Sequence, residues 1–420
     1  MASDVVPAHA RGTAIAIVGV MFFVFGFVTW LNGPLIAFVK LAFTLNDVEA
    51  FLVPSVFYMS YFVLALPAAA ILRRIGMKRG MVFGLLTVAV GAVLFGQFVA
   101  MRMFGGALAG LFVMGAGLAL QQTAVNPYIS ILGPIETAAQ RIAIMGICNK
   151  VAGILAPIAF GLLVMSGIGD LGGQVAAAPS HQAREALLAS FAQKVYWPYL
   201  GMAALLALLA LGVGKSPLPD LRGAENGEAT RDVRGLSRFP HLWLGVICLF
   251  LYVGVEVMAG DAIGTYGRGF GLPVAETAYF TSLTLTGMLV GYVVGMIVVP
   301  RFAAQESYLA FSAILGVLLA IGAYSTTGYV SVAFVAALGF ANSMMWPAIF
   351  PLAIRGLGRH TETGSALLIM AISGGAVVPQ LFVALKAHYD FQSVFLALMA
   401  PAYLYIFFFA VRGSKVKPTR

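Results

Sequence analysis

Charge is what this sequence has least of. Only 10% of its 420 residues are Asp, Glu, Lys or Arg, against about a quarter in soluble domains. That scarcity excludes an ordinary soluble chain, and the 61% hydrophobic content points to a membrane protein. Cysteine is almost missing. Cys148 and Cys248 both sit in apolar runs, which excludes a disulfide framework and a cysteine metal cluster. The five histidines fall in or beside loops, without an HExxH pattern, so no metal is expected. There is no GxxxxGK[ST] phosphate loop and no acid pair at glycosidase spacing. ATP-driven work within the chain, a prosthetic cofactor and an enzyme activity are therefore not expected.

What is present is a series of long apolar runs. A helix needs roughly 20 mostly apolar residues to cross a bilayer. Twelve runs qualify, at about 13–39, 48–71, 81–101, 106–133, 142–167, 195–213, 241–265, 277–300, 307–325, 328–353, 364–386 and 391–411. The first is too long for a cleavable signal peptide and reads as a retained helix. Strands are excluded, because no ten-residue alternating pattern recurs. The mean hydropathy of +0.95 agrees.

The net charge of +9 could suggest nucleic acid, but its distribution does not. With the N-terminus in the cytoplasm, inside segments hold Arg73, Arg74, Lys78 and Arg79, the basic residues between Lys215 and Arg238, and those from Arg412 to Arg420. Outside segments hold Lys40, Arg102, Arg184, Lys194, Arg268 and Lys386. The inside excess is about three to one, as the positive-inside rule requires. Both termini are then cytoplasmic. The charge faces anionic lipid, and no nucleic-acid partner is expected.

The charged stretch at 214–240 divides the chain into residues 1–213 and 241–420, six spans each. The outer stretch 168–194 is Ala/Gly-rich and reads as a long loop. The halves echo each other. Phe22-Phe23-Val24-Phe25-Gly26 resembles Phe250-Leu251-Tyr252-Val253-Gly254, and the same offset sets Gly33 opposite Asp261. Asn126-Pro127 stands where Trp346-Pro347 stands, and Gly153 and Pro157 match Gly375 and Pro379. Related halves with a site between them at mid-membrane are a known transporter plan.

Two charges lie deep inside spans, away from their ends. Glu256 sits past the middle of HLWLGVICLFLYVGVEVMAGDAIGTY, and Lys150 lies in span 5. Such charges are expensive in a bilayer and usually functional. Lys150 is about nine residues into its span and Glu256 about sixteen, roughly 13 and 24 Å at helical rise. A direct pair therefore needs most of the lysine's stem. It would be either a fixed ion pair or a cycling one, with Glu256 neutralised by a cation when substrate is bound. Asp261, near the outer end of span 7, is either an interfacial acid or a ligand for that cation.

At this point the chain resembles the fucose–galactose–glucose:cation symporters of the major facilitator superfamily. The resemblance rests on FFVFGFVTWLNGPLIAFVK at 22–40, GLALQQTAVNPYISILGP at 117–134, FLYVGVEVMAGDAIG at 250–264, SMMWPAIFPLAIRGLG at 343–358 and GSALLIMAISGGAVVP at 364–379. RRIGMKRG at 73–80 looks like a degraded form of the superfamily loop between spans 2 and 3, with Arg73 at its usual acid position. Two departures matter. Fucose permeases carry an Asp where this chain has Gly33 and a Glu where it has Gln122, which argues against fucose–proton symport by that mechanism. LNGPLI together with Asn149-Lys150 and Glu256 looks most like the N-acetylglucosamine permease branch, then the glucose/galactose branch.

The resemblance implies an all-α fold of twelve transmembrane helices in two pseudo-symmetric halves, in the bacterial inner membrane. It implies cation-coupled import of a small-molecule sugar, N-acetylglucosamine first and glucose or galactose next. Spans 1, 4, 7 and 10 would line the cavity. Buried amides supply the planar donors and acceptors that read hydroxyls, so Asn32, Gln121, Gln122, Asn126, Asn149 and Asn342 are the expected sugar ligands. Each could instead glue helices together. Trp30 and Trp346 could stack on a pyranose face or simply pack. Glu256, Lys150 and Asp261 are expected to couple the cation. A proton is preferred, because one carboxylate beside a lysine makes a thin sodium cage, although Asp261, Thr265 or carbonyls could add oxygens. The clustered amides argue against a drug exporter of the same fold. An uncoupled facilitator stays open, and a monomer is expected.

Overall fold

The computed structural model describes residues 8–131, 138–165, 168–218, 233–299 and 301–417. Of the expected linker 214–240, residues 219–232 lie outside these. Among the described residues, twelve stretches are long and apolar enough to cross a membrane. In chain order they are spans 1 to 12: Gly12–Ala42, Asp47–Ile75, Met77–Ala100, Phe104–Asn126, Arg141–Leu163, His181–Lys215, Pro240–Gly260, Val274–Val298, Gln305–Tyr324, Gly328–Ile354, Thr363–Leu385 and Phe391–Lys415. These match the twelve apolar runs of the sequence.

Several spans are broken where a backbone bond fails. Span 1 consists of helices Ala8–Trp30 and Asn32–Ala42. Pro34 has no N–H to offer the Trp30 carbonyl, so the ladder is interrupted there. Span 10 consists of helices Gly328–Asn342 and Met345–Ile354. Pro347 has no N–H to offer the Ser343 carbonyl at the break, and further along Pro351 leaves the Pro347 carbonyl to the Gln305 amide, which donates to it at 3.0 Å. Span 7 stops at Gly260, and helix Ile263–Arg268 follows. The carbonyls of Ala259 and Gly260 accept the hydroxyls of Thr284 at 2.7 Å and Thr281 at 2.8 Å. Broken helices survive in hydrocarbon only where protein re-satisfies the backbone in this way.

One expected loop is helical. Residues 168–194 form helices Ile168–Ala176 and His181–Gln193. Ser180 caps the second by accepting from the Ala183 N–H at 3.2 Å. Its Leu188, Phe191 and Ala192 are buried, and Phe191 packs on Phe38 of span 1 with ring centroids 4.8 Å apart. An alanine-rich stretch with a serine cap and one apolar side has the makings of a helix, which its glycines masked.

The first six spans meet the last six along two seams. Spans 2 and 11 touch along their length, including the end of the bundle away from the termini, called distal below. There Asp47 forms ion pairs with Lys386 and, at 2.6 Å, with Lys40. Gln380 donates to the Val48 carbonyl at 3.1 Å. Spans 5 and 8 form the second seam, where the Ser282 hydroxyl donates to the Ile154 carbonyl at 2.8 Å.

The internal echo has a packing counterpart. A Cβ at Gly26 would run into the Asn149 backbone of span 5, and one at Gly254 into Val378 of span 11. Both glycines let their span approach the fourth one after it. Gly26→Val should therefore lower the thermal midpoint in detergent, with a loss of about 1–3 kcal/mol from overpacking. An unchanged midpoint would mean that spans 1 and 5 can separate freely.

Candidate functional site

The site is a cavity inside the bundle, framed by spans 1, 2, 4, 5, 7, 8, 10 and 11. Lys150 and Glu256 meet in its wall. Nζ lies 2.9 Å from Oε1, and the two side chains are only 7% and 12% exposed. The depth difference foreseen from sequence is smaller than it looked. The span 5 helix begins at Ala138 rather than 142, so Lys150 is about twelve residues in, roughly 18 Å at helical rise. The flexible four-carbon stem of the lysine bridges the offset that remains.

Lys150 has a second partner. Its Nζ stands 4.4 Å from the centre of the Trp30 ring, within cation–π range. The Trp30 indole N–H donates to Asn149 Oδ1 at 3.1 Å, and the Asn149 amide faces the Phe22 carbonyl at 3.4 Å. The Tyr252 hydroxyl points at the Glu256 carboxylate. The glutamate, the lysine, the indole and an amide thus form one continuous chain of contacts.

Opposite this chain lie the amides of span 4. The Gln122 amide donates to the Tyr61 hydroxyl at 3.2 Å, and Asn126 donates to the Gln122 carbonyl at 3.0 Å. Trp346 lines the cavity with Phe350 stacked on it at 5.8 Å and 22°. The cavity therefore gathers Trp30, Gln122, Asn126, Asn149, Lys150, Glu256 and Trp346. It pairs aromatic faces with amide, phenol, ammonium and carboxylate groups, a lining suited to a small polyhydroxylated molecule.

Four candidates lie outside that lining. Gln121 is buried and turned toward span 3, donating to the Met81 carbonyl at 3.3 Å. One residue along a helix is about 100° of rotation, which separates it from Gln122. Asn342 accepts the Tyr403 hydroxyl at 2.8 Å, within the last six spans. Asn32 is buried at the span 1 break. Asp261 is buried at the span 7 break, where it accepts the Tyr58 hydroxyl at 3.3 Å and faces the Gly33 amide. The oxygens considered for sodium are not collected around Glu256, since the Thr265 hydroxyl accepts from Arg268 at 2.5 Å.

Sequence reasoning missed the tyrosines. Tyr58, Tyr61, Tyr252 and Tyr292 all line the cavity, as do Phe22, Phe25 and Thr29. The available signal was their depth. Membrane tyrosines favour the interfaces, so one in the middle of a span needs a polar partner as much as an amide does.

Residues 18–379 match the family model described as Major Facilitator Superfamily. The chain belongs to that superfamily. Its members are transporters, not enzymes, and this one is an integral multi-pass protein of the bacterial inner membrane. Within the superfamily the transporter groups with the fucose–galactose–glucose symporters. It is 34% identical over 409 residues to the glucose/galactose transporter of Brucella abortus, covering 96% of this chain and 95% of that one. It is 29% identical over 371 residues to the L-fucose-proton symporter of Escherichia coli, covering 85% and 83%. Its fold superposes on the transporter FucP, crystallised in the outward conformation, with a TM-score of 0.80 at 26% identity, covering 97% and 100%.

Proposed function

We propose that this transporter imports an aldohexose of the glucose/galactose type together with a proton. The observation that carries the reading is the Lys150–Glu256 pair at 2.9 Å in the wall of an amide- and aromatic-lined cavity. A carboxylate with one cationic partner offers a proton a binding place and offers sodium few oxygens. The relatives favour the sugar class: one named for glucose and galactose, another for fucose and a proton. N-acetylglucosamine, the first expectation from sequence, has no such support and becomes a competing substrate in the test.

The proposed cycle uses the two sets of six spans, residues 1–213 and 241–420, as units rocking about the cavity. The linker and both termini face the cytoplasm in this reading, so the distal end faces outward. Glu256 takes a proton when sugar binds, and Lys150 answers its charge when the site is empty. Asp261 is a second candidate for the coupled proton.

The deciding measurement is uptake of radiolabelled glucose, galactose, N-acetylglucosamine and fucose by proteoliposomes. Proton and sodium gradients are imposed separately. Glucose or galactose accumulation under the proton gradient alone is expected. Accumulation driven only by sodium would overturn the coupling, and transport of none of these sugars would overturn the substrate class. Gln122→Ala and Asn126→Ala are each expected to weaken sugar binding about tenfold, the worth of one or two hydrogen bonds. Unchanged affinity in detergent would remove span 4 from the site.

A further inference from the structure

Trp30 belongs to the first six spans, yet much of its indole rests on the last six. It is 3% exposed and packs with Leu285 and Met288 of span 8. A Cβ on Gly260, the last helical residue of span 7, would come within 2.5 Å of Cζ3 and 3.3 Å of Cη2. The six-membered ring therefore occupies the space that glycine leaves open. The five-membered ring lies over Gly153 of span 5 in the same manner, with Cδ1 2.5 Å from a Cβ there.

The position of the indole is between two environments. On one side it lines the cavity, with Lys150 on its face. Toward the distal end the two sets of spans are in close contact. Gly33 leaves no room for a Cβ beside the Thr281 hydroxyl, which bonds the Gly260 carbonyl. Asp261 bridges to Tyr58 and the Gly33 amide.

We propose that Trp30 is the gate between the cavity and the distal end, closing against the bare backbone of Gly260. The proposal rests on the reading that this chain transports by alternating access. In the distal-open state Gly260 leaves the indole, and the six-membered ring loses its cover. In the closed state the ring is pinned by Gly260, Gly153 and the Asn149 side chain. Because Lys150 stands on the ring face, the coupling pair touches the gate directly. Trp30 is then a positioning residue, and sugar stacking falls to other aromatics of the cavity.

The test reads access, which needs no proton coupling. Thr29→Cys, in the cavity wall, is placed in a background with Cys148→Ser and Cys248→Ala. An impermeant maleimide is then added to the outer face of right-side-out vesicles. Gly260→Ala wedges the gate, and Trp30→Ala removes it without any clash. Each should raise the labelling rate about tenfold, the displacement an overpacking or cavity change gives a two-state equilibrium. Trp30→Phe, which deletes the ring atoms that the new methyl meets, should return the Gly260→Ala protein to within about twofold of the parental rate. Parental labelling in both single variants overturns the gate, as does a failure of Trp30→Phe to reverse Gly260→Ala. If these results hold while Glu256→Gln still accumulates sugar on a proton gradient, the gate stands and the coupling assignment falls alone.

Discussion

Glu256→Gln is expected to leave sugar counterflow near the parental rate and to abolish accumulation against a gradient. Glutamine keeps the shape and hydrogen-bonding capacity of the side chain but cannot change charge. It imitates the proton-loaded carboxyl, so the loaded protein can exchange sugar across the membrane. It cannot return empty with a different charge state, and a proton gradient then has nothing to act upon. A ligand shifts a conformational equilibrium only through its different affinity for the two states, and here that difference is removed. Counterflow in proteoliposomes loaded with unlabelled sugar, beside uptake driven by an imposed pH step, separates the two activities. Undiminished accumulation would reject Glu256 as the coupling group. An uncoupled facilitator would give the same result in parent and variant.

Much of this site could be read in the chain because charge and backbone breaks are rare in lipid. Glu256 and Lys150 stood out by their cost, and the structure puts them in one ion pair. The breaks in spans 1 and 10 follow from Pro34 and Pro347, which are visible as letters. The break in span 7 has no proline, and it is held by Thr281 and Thr284 from another span. No local pattern announces that arrangement. The amides illustrate the same limit. Gln121 and Gln122 are adjacent in sequence but face span 3 and the cavity respectively. Asn342 finds Tyr403, sixty-one positions away. The offset that set Gly33 opposite Asp261 was legible as an internal repeat. That the two also meet across the bundle follows only from the folded arrangement of spans 1 and 7.

Lys150→Met is the variant with the largest expected effect on the folded protein. The substitution keeps the apolar stem and deletes the ammonium, leaving Glu256 without its cationic partner in a wall where it is 12% exposed. Breaking one side of a buried pair typically costs about 3–5 kcal/mol, because the remaining charge has no counter-ion. The yield of monodisperse protein and its thermal midpoint in detergent should both fall sharply. Adding Glu256→Gln removes the stranded charge, so the double variant should recover most of the lost midpoint. It should also behave like Glu256→Gln alone in counterflow and in gradient-driven uptake. That recovery is the signature of direct coupling, since independent sites would give additive losses. A single variant as stable as the parent would mean that Tyr252 and the cavity solvate Glu256 without the lysine. The ammonium would then owe its place to Trp30, 4.4 Å away, and Trp30→Leu would become the destabilising change.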